Sequence, residues 1–195
     1  MNKVFFDLEW NTGFLDGNSF DEIIEIGAVK TDEEYRQIDG FRRLIRPVIY
    51  RKMNPYIQKI LAITMKDLQG EEPLAAVAKV FFDWCGDCDT LIAWSGNDFG
   101  VLEKNLAHIG MKIPEQLGRY DVQMAYAYRT ENSIRNYALK TAVEAMELPE
   151  PEGQEYHDAY CDAQFTAAIG RALTERYGPL PTCLLYTSPS PRDRT

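Results

Sequence analysis

Asn2-Lys3-Val4-Phe5-Phe6-Asp7-Leu8-Glu9 begins as an apolar, aromatic run and closes on two acids one residue apart. Residues 2–8 have the content of a short buried strand. Side chains alternate along a strand, so positions 7 and 9 leave it on the same face. Two carboxylates side by side on an otherwise apolar strand repel, and each raises the pKa of the other unless a cation lies between them. A divalent cation is the natural resolution. Asp-x-Glu alone is common at exposed strand ends, so the rest of the chain has to decide.

Outward from this stretch, a loop with Gly13 and Gly17 leads to two further strands, over residues 22–32 and 36–46, which with the first make a meander. Pro47 ends the third. From Asn54, a cap followed by Pro55, the spacing of Ile57, Ile60 and Leu61 gives one helical face. Leu74, Val77, Ala78, Phe81 and Phe82 repeat at three and four residues, so a stronger helix runs from Pro73 to about Cys85, closed by Gly86. Thr90-Leu91-Ile92-Ala93-Trp94 reads as a buried strand, and a helix from Asn97-Asp98 carries Val101, Leu102, Leu106 and Ile109 to Gly110. Helical patterns cover about 121–128, 135–147 and 158–176. Strands early and helices late indicate an α/β fold with a mixed sheet.

The chain has 195 residues, 45% hydrophobic and 26% charged, which suits one domain with a core that needs no staples. A net charge of -9 argues against a protein that coats duplex nucleic acid, since such binders neutralise phosphates. It leaves room for an enzyme whose carboxylates hold divalent cations. Cys85 and Cys88 form a Cys-x-x-Cys pair, but His108 and His157 lack the paired spacing of a zinc site, so the cysteines read as reduced thiols. No apolar run approaches the ~18 residues of a membrane span, and no leader is evident, which points to the cytoplasm. Residues 183–195, with Tyr186-Thr187-Ser188-Pro189-Ser190-Pro191, shift abruptly to Ser and Pro and resemble translated adapter sequence. Residues 1–182 are therefore read as the domain and 183–195 as a non-native, disordered tail, which leaves the native carboxyl terminus open.

Two more elements carry chemistry. Asp98 falls where a strand gives way to a helix, the place where α/β sheets set their ligands, although an Asp there also serves as a cap. His157 and Asp162 stand five apart. With His157 just before a helix and Asp158 capping it, Asp162 faces the sheet from the first turns while the imidazole swings over the same site. Leu8, Trp10 and Phe99 are candidate surfaces for stacked bases, with core packing an equal reading for Trp10. Arg42, Arg43, Arg46, Arg51 and Lys52 suit either a phosphate-facing strip or a solvated face.

Asp7-x-Glu9, Asp98 at a strand-to-helix turn, and His157-x-x-x-x-Asp162, in this order, resemble the DEDDh exonucleases, relatives of polymerase proofreading subunits and ribonuclease T. Glu22-Ile23-Ile24-Glu25-Ile26-Gly27-Ala28-Val29 looks like that family's second strand, and Ile60-Leu61-Ala62-Ile63-Thr64 like its helix-to-loop segment. The likeness covers roughly residues 2–176. It implies a ribonuclease H-like fold, a central mixed five-stranded sheet flanked by helices.

The resemblance also implies 3′-to-5′ hydrolysis of phosphodiester bonds at single-stranded RNA or DNA 3′ ends, assisted by two Mg²⁺ or Mn²⁺ ions. Asp7 would bridge both ions, Glu9 and Asp162 would hold the one that binds the attacking water, and Asp98 would serve the second. His157 would be the general base, a role suited to an imidazole at neutral pH. Leu8, Trp10, Asn11 and Phe99 would meet the terminal nucleotide. Trp10-Asn11-Thr12-Gly13 stands where the family often has Thr-Thr-Gly, and Asn97 where many relatives place an aromatic. Arg46-Pro47-Val48-Ile49 leans toward the branch that trims RNA. The rival reading is a non-catalytic nucleic-acid-binding or protein-interaction module of the same fold; an aspartyl-phosphate phosphatase would need Asp at position 9. RNA or DNA preference, self-association and a polymerase partner stay undecided.

Overall fold

A computed structural model describes residues 2–149 and 156–180. Five strands form one sheet: β1 (Lys3–Leu15), β2 (Asn18–Thr31), β3 (Gln37–Leu44), β4 (Thr90–Ala93) and β5 (Gly118–Asp121), in the order β3-β2-β1-β4-β5. The meander β1-β2-β3 is antiparallel, and β4 and β5 add to it in parallel. This is the mixed five-stranded α/β sheet that the resemblance implied.

Alternation along β1 divides the core. Val4, Phe6 and Leu8 pack under α3 (Leu74–Cys85) and α4 (Gly96–His108). Phe5 points to the other face, where α5 (Val122–Glu131), α6 (Leu139–Ala145) and α7 (Ala159–Tyr177) close over it. Two short helices, α1 (Ile57–Ile60) and α2 (Met65–Leu68), fill the long connection after β3. Met53, Leu61 and Leu68 make a small third core there with Ile24. Ile24 reaches it because the β1–β2 register shifts between Glu9 and Trp10: Glu9 faces Glu25, and Trp10 faces Ile23.

Several boundaries differ from the sequence expectation for physical reasons. The loop with Gly13 and Gly17 is a hairpin, so β1 runs on to Leu15. Asp16 and Gly17 form its tight turn, both at positive φ, +49° and +79°. Gly13 is an ordinary strand residue whose missing side chain admits the Tyr50 ring; a Cβ there would lie 2.6 Å from that ring. Around α1 the helix starts at Ile57 behind Tyr56, and Asn54 instead turns its side-chain oxygen to the Tyr56 N–H at 2.9 Å. Gly118-Arg119-Tyr120-Asp121 is too short to show a period. Its strand identity comes from pairing with β4. Cys85 and Cys88 are buried and, among the described residues, unbonded.

Helix α7 lies unusually close to the sheet. A Cβ on Gly27 would collide with the backbone of Ala159 and Tyr160, and one on Gly40 would lie 2.6 Å from the Tyr160 hydroxyl. Gly27 pairs with Asp7 across the ladder. Its missing side chain therefore sets how near the first turn of α7 comes to the acids of β1. Gly27→Ala is expected to cost about 1–3 kcal/mol, the range for an overpacked core, because backbone must move rather than a side-chain end. Urea unfolding of the variant against the parent checks this.

Candidate active site

Asp7 and Glu9 leave β1 on the α7 face, and two other elements bring groups to them. The β4–α4 elbow delivers Asp98. Ser95 caps α4, accepting from the Asn97 N–H at 3.3 Å and donating its hydroxyl to Asp98 Oδ2 at 3.1 Å. Asp121, at the end of β5, accepts from the Gly96 N–H at 2.9 Å and the Met124 N–H at 2.8 Å, so one buried carboxylate fixes the starts of both α4 and α5.

The first turn of α7 delivers Asp162. Asp158 is its N-cap, accepting from the Cys161 N–H at 3.1 Å. His157, just outside the helix, has φ +68°, in the left-handed region. That kink turns its N–H onto Asp162 Oδ2 at 3.2 Å and leaves the imidazole exposed. Glu9, His157 and Asp162 each offer a donor atom within 4.8 Å of the others.

All five residues line one cleft of about 320 Å³. Leu8, Trp10, Ile57, Ile60 and Leu61 form an apolar wall, with Trp94 and Leu139 also in the lining. Leu8 and Trp10, both expected near a substrate, are thus at the cleft. Two other expected contacts are not. Phe99 is 1% exposed and meets Phe6 edge-on at 5.1 Å, because its position on α4 faces the core under β1. Asn11 is also buried: its amide donates to the Lys52 carbonyl at 3.0 Å and accepts from the Asn54 N–H at 2.8 Å, tying the 52–54 segment to β1.

Electrostatics in the cleft are uncompensated. Burial pushes Asp7 well above the usual carboxylate range, and Asp98, Asp162 and Glu9 push it further. Burial and the charge of Asp162 raise Glu9 to about 8. Burial lifts Asp98 to about 7 against the Ser95 hydrogen bond, and lifts Asp162 to about 7 against the His157 N–H. Among the described residues Asp162 Oδ1 is buried without a hydrogen-bond partner. A buried acceptor of this kind costs stability unless something positive occupies the space before it. Four carboxylates beside one imidazole form a hard, oxygen-rich donor set that fits divalent cations such as Mg²⁺ or Mn²⁺.

The RNase T exonuclease model matches residues 4–169 of this chain. The chain belongs to that exonuclease family. A curated relative of this chain is the PolC-type DNA polymerase III of Clostridium perfringens (strain 13 / Type A). It is 29% identical over 169 residues, which make up 85% of this chain and 11% of that polymerase. Two solved structures share the exonuclease fold. The nuclease domain of 3′hExo, a DEDDh family member bound to rAMP, has a TM-score of 0.76 at 16% identity, covering 92% of this chain and 94% of that one. Cell-death related nuclease 4 has a TM-score of 0.74 at 15% identity, covering 89% and 64%.

Sequence reasoning passed over some of the groups that build this site. Ser95-Gly96-Asn97-Asp98 has the spacing of a helix-capping pair, which would have flagged Ser95. Glu25 is a lone acid in an apolar strand; its buried carboxylate accepts from Arg42 at 2.8 Å and adds to the charge around Asp7 and Glu9. Ile60, placed on one helical face with Ile57 and Leu61, is 36% exposed and walls the cleft.

Raised acid pKa values give a signed expectation. Acids with folded-state values above the unfolded value of ~4 contribute stability below that pH and lose it as the pH rises through their folded values. In EDTA, the melting temperature should therefore fall between about pH 5 and 8, the window set by Asp98, Asp162 and Glu9. Asp7→Asn, which removes one repelling charge, should be a few degrees more stable at pH 8 and no more stable near pH 4. Scanning calorimetry across that range checks both.

Proposed function

We propose that this exonuclease-family chain removes nucleotides one at a time from the 3′ ends of single-stranded nucleic acid by hydrolysing the terminal phosphodiester bond. The observation that carries the reading is the convergence of Asp7, Glu9, Asp98 and Asp162, from three separate elements, on one cleft beside His157. Asp162 Oδ1 is left there without a partner among the described residues. A module that only bound nucleic acid would gain nothing from assembling buried charges of the same sign as its ligand.

Asp7, Glu9, Asp98 and Asp162 would hold two divalent ions, Mg²⁺ or Mn²⁺. When bound, such ions supply positive charge to the phosphate oxygens and make water a competent nucleophile near neutral pH. His157 takes the proton of the attacking water on its imidazole. Its exposure and its place at a kink outside α7 let the ring approach from the solvent side while its own N–H stays anchored to Asp162. Trp10 and the Ile57–Leu61 wall take the terminal base by apolar contact, which reads no sequence, with Leu8 packed in the core beneath. The rAMP bound to 3′hExo supports a nucleoside monophosphate as the species released.

A 5′-labelled single strand incubated with Mg²⁺ should shorten stepwise from its unlabelled end and stay whole in EDTA. His157→Ala should lower turnover by about 10²–10⁴-fold, the usual worth of a positioned acid–base group, with cation binding retained. A strand left intact by the parent with Mg²⁺, or cut internally, overturns the reading. Full activity in His157→Ala removes the imidazole from it.

A further inference from the structure

A second concavity lies on the connection between β3 and α3, outside the acidic cleft. It holds about 370 Å³ and is lined by Arg46, Val48, Tyr50, Arg51, Met65 and Gln69, with no acid among its lining residues. In a chain with 30 acidic and 21 basic residues, that is a local reversal of sign. Among the described residues neither arginine has a carboxylate within ion-pair distance, a state they share with Arg43, Arg129, Arg135 and Arg176, whereas Arg36 and Arg42 each pair with two acids and Arg119 and Arg171 with one.

The wall is built rather than loose. Val48, Ile49 and Tyr50 turn three consecutive N–H groups onto the carboxylate of Glu22, at 2.6, 2.8 and 2.9 Å. Glu22 is 4% exposed, so its charge is spent inside the wall and the segment is held rigid. The Tyr50 ring is wedged over Gly13, with its hydroxyl donating to the Phe20 carbonyl at 3.0 Å. Arg46 is fixed by its N–H on the Glu72 carbonyl at 3.0 Å and its Nε on the Glu71 carbonyl at 3.1 Å, which leaves its terminal nitrogens to point elsewhere. Arg51 is exposed and makes no hydrogen bond among the described residues.

The concavity is tied to the acidic cleft through Asn11. That residue lies two positions beyond Glu9, about 7 Å along β1, and its side chain holds the backbone on either side of Met53, next to Arg51. The same connection then supplies the apolar wall of the cleft through Ile57, Ile60 and Leu61. A strand that left the cleft over this connection would pass from acids to cations.

We propose that the Arg46–Arg51 concavity is a second contact for the substrate strand. It takes a phosphodiester and its base a few nucleotides upstream of the 3′ end: guanidinium groups on the phosphate, and Tyr50 and Met65 as the apolar bed. This rests on the 3′-exonuclease reading. It explains how an acidic protein holds a polyanion, since the cleft grips only the end while the backbone is gripped here.

The test uses the whole chain as it stands, with Arg51→Gln and the Arg46→Gln/Arg51→Gln pair, each checked for an unchanged melting temperature. Anisotropy of a labelled single strand of about 12 nucleotides, as DNA and as matched RNA, is read in EDTA so that binding is independent of cleavage. The double variant should bind about tenfold more weakly, and its slope of log affinity against log salt should be shallower by about 1.4, the value for two lost phosphate contacts on a single strand. Arg51→Gln should show about half that change in slope. Turnover of a dinucleotide with Mg²⁺, too short to reach the concavity, should be unchanged in both variants. A loss confined to one sugar identifies that strand as the ligand. Unaltered binding of the long strand, or an equal loss on dinucleotide turnover, overturns the proposal. A parent that binds the long strand yet cleaves neither substrate overturns the exonuclease reading, while the salt slopes still decide the upstream contact.

Discussion

The first turn of α7 touches the backbone of β2, and that contact sets the distance between Asp162 and the acids of β1. It is possible only where position 27 has no side chain, since a methyl group there would overlap the helix backbone. Gly40 and Gly170 repeat the arrangement further along, against Tyr160 and Phe5. Close packing of a helix on a sheet ordinarily serves the core. Here it also forces carboxylates from different parts of the chain into a space where, among the described residues, none has a neutralising partner within the cleft.

The fold spends stability to hold that arrangement. Asp7 and Glu9 sit on a strand anchored on its other face by Val4, Phe6 and Leu8. Asp98 is held by Ser95, and the elbow beneath it by Asp121. Asp162 is held by the His157 N–H and the cap at Asp158. Each support is a short-range hydrogen bond or a packed apolar face, and together they keep the acids from drifting apart as repulsion would have them do. Buried charges of one sign, maintained by rigid surroundings, are the pattern of a site organised for a cationic ligand.

Much of this was legible in the residues. The aromatic run before Asp7 gave the central strand because that strand is buried on both faces, and the three-and-four spacing from Leu74 to Phe82 gave α3 because that helix is buried along one. The order of Asp7, Glu9, Asp98, His157 and Asp162 gave the family. What stayed hidden depends on partners distant in sequence. β5 exists through pairing with β4, Asn11 is buried because the 52–54 segment folds over it, and Phe99 turns inward because α4 presents that face to Phe6. The reversal of sign at Arg46 and Arg51 emerges only when the Glu22 carboxylate gathers the loop around itself.

The central claim is that these four acids form a cation site. Isothermal titration of the chain with Mn²⁺ at neutral pH, in parallel with Glu9→Gln and Asp162→Asn variants of unchanged fold, tests it most directly. Saturable uptake by the parent that is lost or severely weakened in both variants is the predicted result. A parent that takes up no Mn²⁺, or variants that bind it as the parent does, would contradict the account.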